Sequence, residues 1–148
     1  MCGYRWRQSG FTMIELVVVI LLLGILSVFV MPRFVDFDTF RSRAAYDEVA
    51  GAVRYAQKLA VASGCEVQFA VSGNRYVLRQ HSSGCSSGPF ADLTGFPVNG
   101  GTVSGVSFSA SPASFIFDAM GRSSSAATIT LGDKNFSVIA ETGYVDAP

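Results

Sequence analysis

Histidine is almost missing from this chain of 148 residues, where His81 stands alone. One histidine and three cysteines, with no C-x-x-C pair among them, do not supply the usual tetrahedral zinc set. Charge is scarce as well, at 15% of residues, and 11 basic side chains balance 11 acidic ones. Nothing is clustered into the basic face that a nucleic-acid binder needs. Arg75, Arg79 and Arg122 are scattered and read as solvated. No D-x-D-x-D-G calcium loop is present, and Asp118 and Asp133, each next to or near a glycine, read as turn acids. Gly100-Gly101 and Ser104-Gly105 form no phosphate-binding motif. A Ser–His dyad can be drawn within Gln80-His81-Ser82-Ser83, but neighbours in a flexible loop rarely hold the geometry of nucleophilic catalysis. The sequence therefore predicts no catalytic residues, no cofactor, no metal and no nucleic-acid partner, and the chain reads as a non-enzyme.

Apolar residues, in contrast, make up 49% of the chain, and much of that excess lies in its first third. Phe11 to Met31 is a run of 21 residues whose single charge is Glu15. At about 1.5 Å per residue it covers roughly 30 Å, the hydrocarbon thickness of a bilayer. Arg5 and Arg7 precede it and no acidic residue falls among the first ten, which predicts a cytoplasmic N-terminus and an exported remainder. Arg33 weakens that bias without reversing it. A cleaved signal peptide fits poorly: the run is too long, and Met31-Pro32-Arg33-Phe34 is bulky where signal peptidase needs small residues. A plain signal anchor satisfies hydropathy equally well. Glu15 argues against it, because a carboxylate in a membrane helix costs on the order of 2.5–3.5 kcal/mol near the centre and a plain anchor gains nothing in return. If the chain is cut just before Phe11, Glu15 becomes the fifth residue and can meet the new α-amino group of a neighbouring chain.

Gly10-Phe11-Thr12-Met13-Ile14-Glu15, followed by Leu16-Val17-Val18-Val19-Ile20, resembles the leader-peptidase site of type IV prepilins and pseudopilins. Pro32 at the end of the apolar run belongs to the same pattern. The resemblance implies cleavage between Gly10 and Phe11 by prepilin peptidase, N-methylation of Phe11, and docking guided by Glu15 into a filament of other pilin subunits. It also implies an inner-membrane assembly platform as partner. The expected location is a single-pass inner-membrane protein, in contact with membrane lipid and with a periplasmic head, that ends in a surface filament. Removing residues 1–10 takes away Cys2, Arg5 and Arg7, which leaves 11 − 2 = 9 basic against 11 acidic residues. It also leaves Cys65 and Cys85 as an even pair, most simply a disulfide in a small exported domain, with two unpaired thiols as the alternative.

Four segments are predicted: a leader over 1–10, a membrane and filament-core helix over 11–31, an amphipathic helix over 32–63, and a β-rich head over 64–148. Gly24 and Pro32 are the expected helix breaks. Phe37, Phe40, Ala44, Ala45, Val49, Ala52, Ala56, Leu59 and Ala60 recur in steps that mark one helical face. Past Cys65 the period becomes two, with Val67, Phe69 and Val71 alternating with Glu66, Gln68 and Ala70. A return strand follows over 75–79, then a serine-rich loop over 81–88, then strands over 103–108, 115–117, 128–131 and 136–140. The fold class is α+β, with the helix across an antiparallel sheet. Phe117-Asp118-Ala119-Met120-Gly121-Arg122 and Thr142-Gly143-Tyr144-Val145 resemble minor pilins and the H-type pseudopilins of type II secretion. Arg54 to Ala60, leading into Ser63-Gly64-Cys65-Glu66-Val67, resembles minor pilins of the mannose-sensitive haemagglutinin (MSHA) pilus. The expectation is a structural, minor subunit of an MSHA-like pilus that primes or joins the filament for attachment. A type II secretion pseudopilin and a tip adhesin using the Ser/Gly loops are the alternatives.

Overall fold

The computed structural model describes residues 11–30 and 37–148, in two compact units that divide after Phe37. The leader with Gly10, the Pro32 break and, with it, the expected start of the second helix at residue 32 lie outside the described residues.

The first unit holds helix α1, Met13–Val30. Thr12 caps it: its carbonyl accepts from the Glu15 and Leu16 amides at 3.1 and 3.2 Å, and its hydroxyl accepts from Glu15 N–H at 3.3 Å. The break expected at Gly24 is absent, since α1 runs through it. A glycine costs a helix only about 1 kcal/mol, too little to stop a run of leucine and isoleucine. The Ser27 hydroxyl also donates to the Gly24 carbonyl at 2.8 Å.

The second unit opens with α2, Phe37–Ser63. Gly64, at φ +67°, ends it in the left-handed conformation that favours glycine. Its buried face is Ala45, Tyr46, Val49, Ala50, Ala52, Val53, Ala56 and Ala60. Mostly small, these side chains let two sheets approach the helix closely. Phe40 and Ala44, expected on that face, are exposed, because the core begins only at Ala45.

One sheet is built on β1 (Val67–Ser72) and β2 (Arg75–His81), an antiparallel hairpin with β6 (Ser114–Phe117) on the far side of β1. Two short strands, β3 (Phe90–Asp92) and β4 (Gly100–Thr102), share the outer edge of β2 at its two ends. The second sheet has the order β5-β7-β8-β9, from Phe108–Ser111, Ala127–Leu131, Lys134–Val138 and Val145–Asp146. Two-residue turns with glycine first, Gly73-Asn74 and Gly132-Asp133, close both hairpins, with φ +57° and +63° at the glycines.

The strand expected over 103–108 does not form. Gly105, at φ +77°, bends the chain there, so β4 precedes that segment and β5 starts at its last residue. The strand expected over 136–140 lies two residues earlier, over Lys134–Val138. β3, β4 and β9 were not expected. Phe69 sits in the middle of the core, stacked on Phe115 at 5.5 Å and on Tyr76 at 5.6 Å. Tyr46 meets Phe136 edge-on at 5.4 Å, joining α2 to the second sheet. The arrangement is α+β, helix against antiparallel sheet.

Candidate functional site

Phe11 and every described side chain of α1 through Leu26 are exposed, on all sides of the helix. A helix apolar all round has no stable place in water and must be covered by lipid or by other helices. Glu15 is the one charge on it. Its place in the first turn suits the positive end of the helix dipole, which favours a carboxylate there even without a partner. No helix among the described residues is long and apolar enough to cross a membrane. Phe11 thus precedes a capped, exposed helix that carries Glu15 in its first turn.

In the second unit, Cys65 and Cys85 are bonded, with Cα atoms 4.1 Å apart. Beside the bridge, the Glu66 amide donates to the Cys85 carbonyl at 2.8 Å. His81 is the last residue of β2 and not a loop residue. Its Nδ1 faces the Gly88 carbonyl at 2.7 Å, its Nε2 faces Glu66 Oε2 at 3.0 Å, and its ring stacks on Phe90 at 4.1 Å. The imagined Ser–His pair is therefore not formed: both ring nitrogens are engaged elsewhere, and the histidine ties the 82–88 loop to Glu66, just before β1.

Asp118 organises the next turn. Its carboxylate accepts from the Met120 and Arg122 amides, both at 2.9 Å, and from Arg122 Nε at 2.8 Å. Burial pushes this carboxyl up, but the Arg122 amide, the Arg122 side chain and the Met120 amide together hold it below its usual value. Arg122 is therefore bound to its own turn, and Arg79 likewise pairs with Asp92 at 2.7 Å, so neither is merely solvated. A groove of about 390 Å³ beside this turn is lined by Glu66, Asp118, Arg122 and Glu141 among others. No group of three or more metal-ligating side chains occurs among the described residues.

Two contacts were invisible in the sequence. Gln57 Nε2 donates to the carbonyls of Gly121 (2.9 Å) and Thr142 (3.1 Å), so one amide on α2 holds both C-terminal turns. A Cβ on Gly143 would run into the Gly121 carbonyl, which is why the two turns can stack only with glycine there. The Tyr76 hydroxyl donates to Glu48 Oε1 at 2.9 Å; burial first, then this bond and the carboxylate charge, push the phenol far above its usual value. Each pairing joins residues at least 28 positions apart, beyond any local motif.

Residues 7–31 match the prokaryotic N-terminal methylation motif, and residues 45–143 match the type II transport protein GspH family. The type IV narrow pilus major component PilA5 of Thermus thermophilus is 35% identical, over 58% of this chain and 84% of that protein. Among solved structures, the type IV minor pilin FimU of Pseudomonas aeruginosa superposes with a TM-score of 0.55 at 14% identity, covering 72% of this chain and 87% of that one. The minor pseudopilin EpsH from the type 2 secretion system of Vibrio cholerae gives 0.55 at 12% identity, over 71% and 94%. At these identities the two structures speak for the fold alone.

Proposed function

The chain belongs to the type IV pilin and pseudopilin family, in its GspH group, and on that premise we propose that it is a structural subunit of a type IV pilus. The observation that carries this reading is α1, capped at Thr12, apolar on every side and marked by one carboxylate at Glu15. The subunit is processed between Gly10 and Phe11 by prepilin peptidase, methylated on Phe11, and held in the inner membrane with its head in the periplasm. The assembly platform then moves it into the filament, where Glu15 sets its register against a neighbour's amine and lipid contacts give way to helix packing. The helix motif around Arg54 to Ala60 supports an MSHA-like pilus used for surface attachment, with this chain as a minor subunit.

Intact mass and N-terminal sequencing of the protein from its native membrane, together with its content in sheared surface filaments, test the reading. A methylated Phe11 terminus and presence in the sheared fraction are expected. A chain still starting at Met1 in a cell free of such filaments would sink the proposal. Many copies per filament mark a repeating subunit, and one or a few mark a priming one.

The match of residues 45–143 to GspH favours a second reading, a minor pseudopilin of type II secretion. In that case the mature chain stays in the envelope, and deleting it stops protein export while pili persist.

A further inference from the structure

His81 is held from two sides, and both of its partners are hydrogen-bond acceptors. Nδ1 lies 2.7 Å from the Gly88 carbonyl, and Nε2 lies 3.0 Å from Glu66 Oε2. A carbonyl cannot donate, and an ionised carboxylate can only accept. Both contacts are therefore hydrogen bonds only when each ring nitrogen carries a proton, which makes the ring an imidazolium. A neutral ring has a single N–H, so its other nitrogen would meet an oxygen lone pair to lone pair. The ring has little room to turn away, because its side chain is 10% exposed and stacks on Phe90 at 4.1 Å.

The 82–88 loop is thus tied at two points by two kinds of bond. The disulfide holds Cys85 to Cys65, and the Glu66 amide donates to the Cys85 carbonyl at 2.8 Å. The bonded cysteines do not titrate. Beyond Cys85, the side chain that holds the end of the loop at Gly88 is His81. At the base of the loop the Ser82 amide donates to the Pro89 carbonyl at 3.0 Å. Ser86 lies between the two ties and, with Cys85, Glu66, Asp118 and Met120, lines a cleft of about 270 Å³.

The charge in contact with the ring is Glu66. The loop itself, residues 82–88, contains no charged residue. Arg79 and Asp92, two positions from His81 and Phe90 on β2 and β3, pair with each other at 2.7 Å. From the end of α2 the contact is uncharged, Gln80 Nε2 donating to Ser63 Oγ at 3.2 Å. In the groove that Glu66 lines, Asp118 pairs with Arg122, and Glu141 has no ion pair among the described residues.

We propose that His81 is a proton-operated latch on the 86–88 stretch, closed while its ring is an imidazolium and released once the ring is neutral, with Cys85 as the fixed pivot. Release frees Ser86 from the cleft wall, so the head presents a different surface beside Met120 on the two sides of the transition. The partners fix the sign: the latch acts at lower pH and is lost as pH rises through about 5 to 8, the span in which histidine changes charge. The device belongs to the second unit and holds for a pilus and a pseudopilus subunit alike.

The test uses the full chain in detergent with its disulfide intact. NMR follows the single imidazole across that span. Amide exchange at Ser82, corrected for the intrinsic effect of pH, reports the base of the loop. In the wild type, protection of Ser82 is expected to fall roughly tenfold as the ring loses its proton. That is the lower end for a hydrogen bond to a charged group, because Glu66 is 36% exposed. His81→Gln should lose the pH step. Glu66→Gln is the decisive variant. Its amide can donate to Nε2 while Nδ1–H donates to Gly88, so a neutral ring closes the latch and protection should stay high throughout. A merely structural Glu66 predicts lowered protection at every pH instead. The latch is overturned by wild-type protection that stays level while the ring titrates, by a ring that keeps one charge state across the span, or by a Glu66→Gln variant that keeps the pH step.

Discussion

Gln57 and Asp118 are single residues on which the C-terminal turns depend. When the Gln57 amide is removed, the part-buried carbonyl of Gly121 and the exposed carbonyl of Thr142 lose this donor. Gln57→Ala should therefore destabilise the protein by about 0.5–1.5 kcal/mol, the net worth of an ordinary hydrogen bond, since water can reach the Thr142 carbonyl. Denaturant melts of the detergent-solubilised full chain measure this, and an unchanged midpoint would mean the turns hold without the amide. Asp118 makes a pH prediction. Its carboxyl is held below the usual value, so the ionised form is favoured by folding. That contribution is present above the unfolded-state value, about pH 4, and fades as pH falls through the lower folded value. Asp118→Asn should flatten the acid side of the stability–pH curve, because the charge that titrates is gone. Melts of both proteins across the acid range check it; parallel curves would exclude Asp118 as a source of acid sensitivity.

At the scale of elements, the bridge between the end of α2 and the 82–88 loop invites the next prediction. The cysteines are separated by 20 positions, a span whose closure is worth about 3 kcal/mol in the chain-entropy account. The double substitution Cys65→Ser and Cys85→Ser should lower stability by about that amount. The loss should be smaller if the His81 bridge to Glu66 and Gly88 keeps the loop in place by itself. Chemical denaturation of both proteins, with the wild type also reduced, reads the difference directly. How far the elements were legible varied with their length. β1 was readable because Val67, Phe69 and Val71 alternate with the smaller or polar Gln68, Ala70 and Ser72, and Val67 and Phe69 are buried. β3, β4 and β9, at three, three and two residues, are too short to carry a period. The helical face of α2 was visible as a face, but not the point where the sheets begin to cover it, so Phe40 and Ala44 were misplaced. The prepilin-like motif could be read because its residues lie in one local run. The bonds of Gln57 could not, since its partners are 64 and 85 positions away.

For the molecule as a whole, one chain carries two surfaces made for different surroundings. The second unit buries its own core, with Phe69, Phe115 and Phe117 nearly free of solvent. α1 buries nothing of its own and takes its stability from whatever surrounds it. In lipid, any apolar helix would serve equally well, and Glu15 only adds cost, reduced by its place near the helix start. On the pilus reading proposed above, the same carboxylate would gain from a neighbour's N-terminal amine, because two charges attract more strongly where little water competes. The substitution Glu15→Ala should therefore leave membrane insertion and leader removal intact, or improve insertion slightly, while incorporation into filaments falls sharply. Membrane fractionation with N-terminal sequencing reads the first half, and the content of sheared filaments reads the second. Glu15→Gln separates charge from hydrogen bonding: it should fail nearly as badly as alanine if attraction to the amine sets the register. Normal incorporation of the glutamine variant would mean that polarity alone is enough. Normal incorporation of the alanine variant would remove Glu15 from the assembly step, and helix packing would then have to set the register unaided.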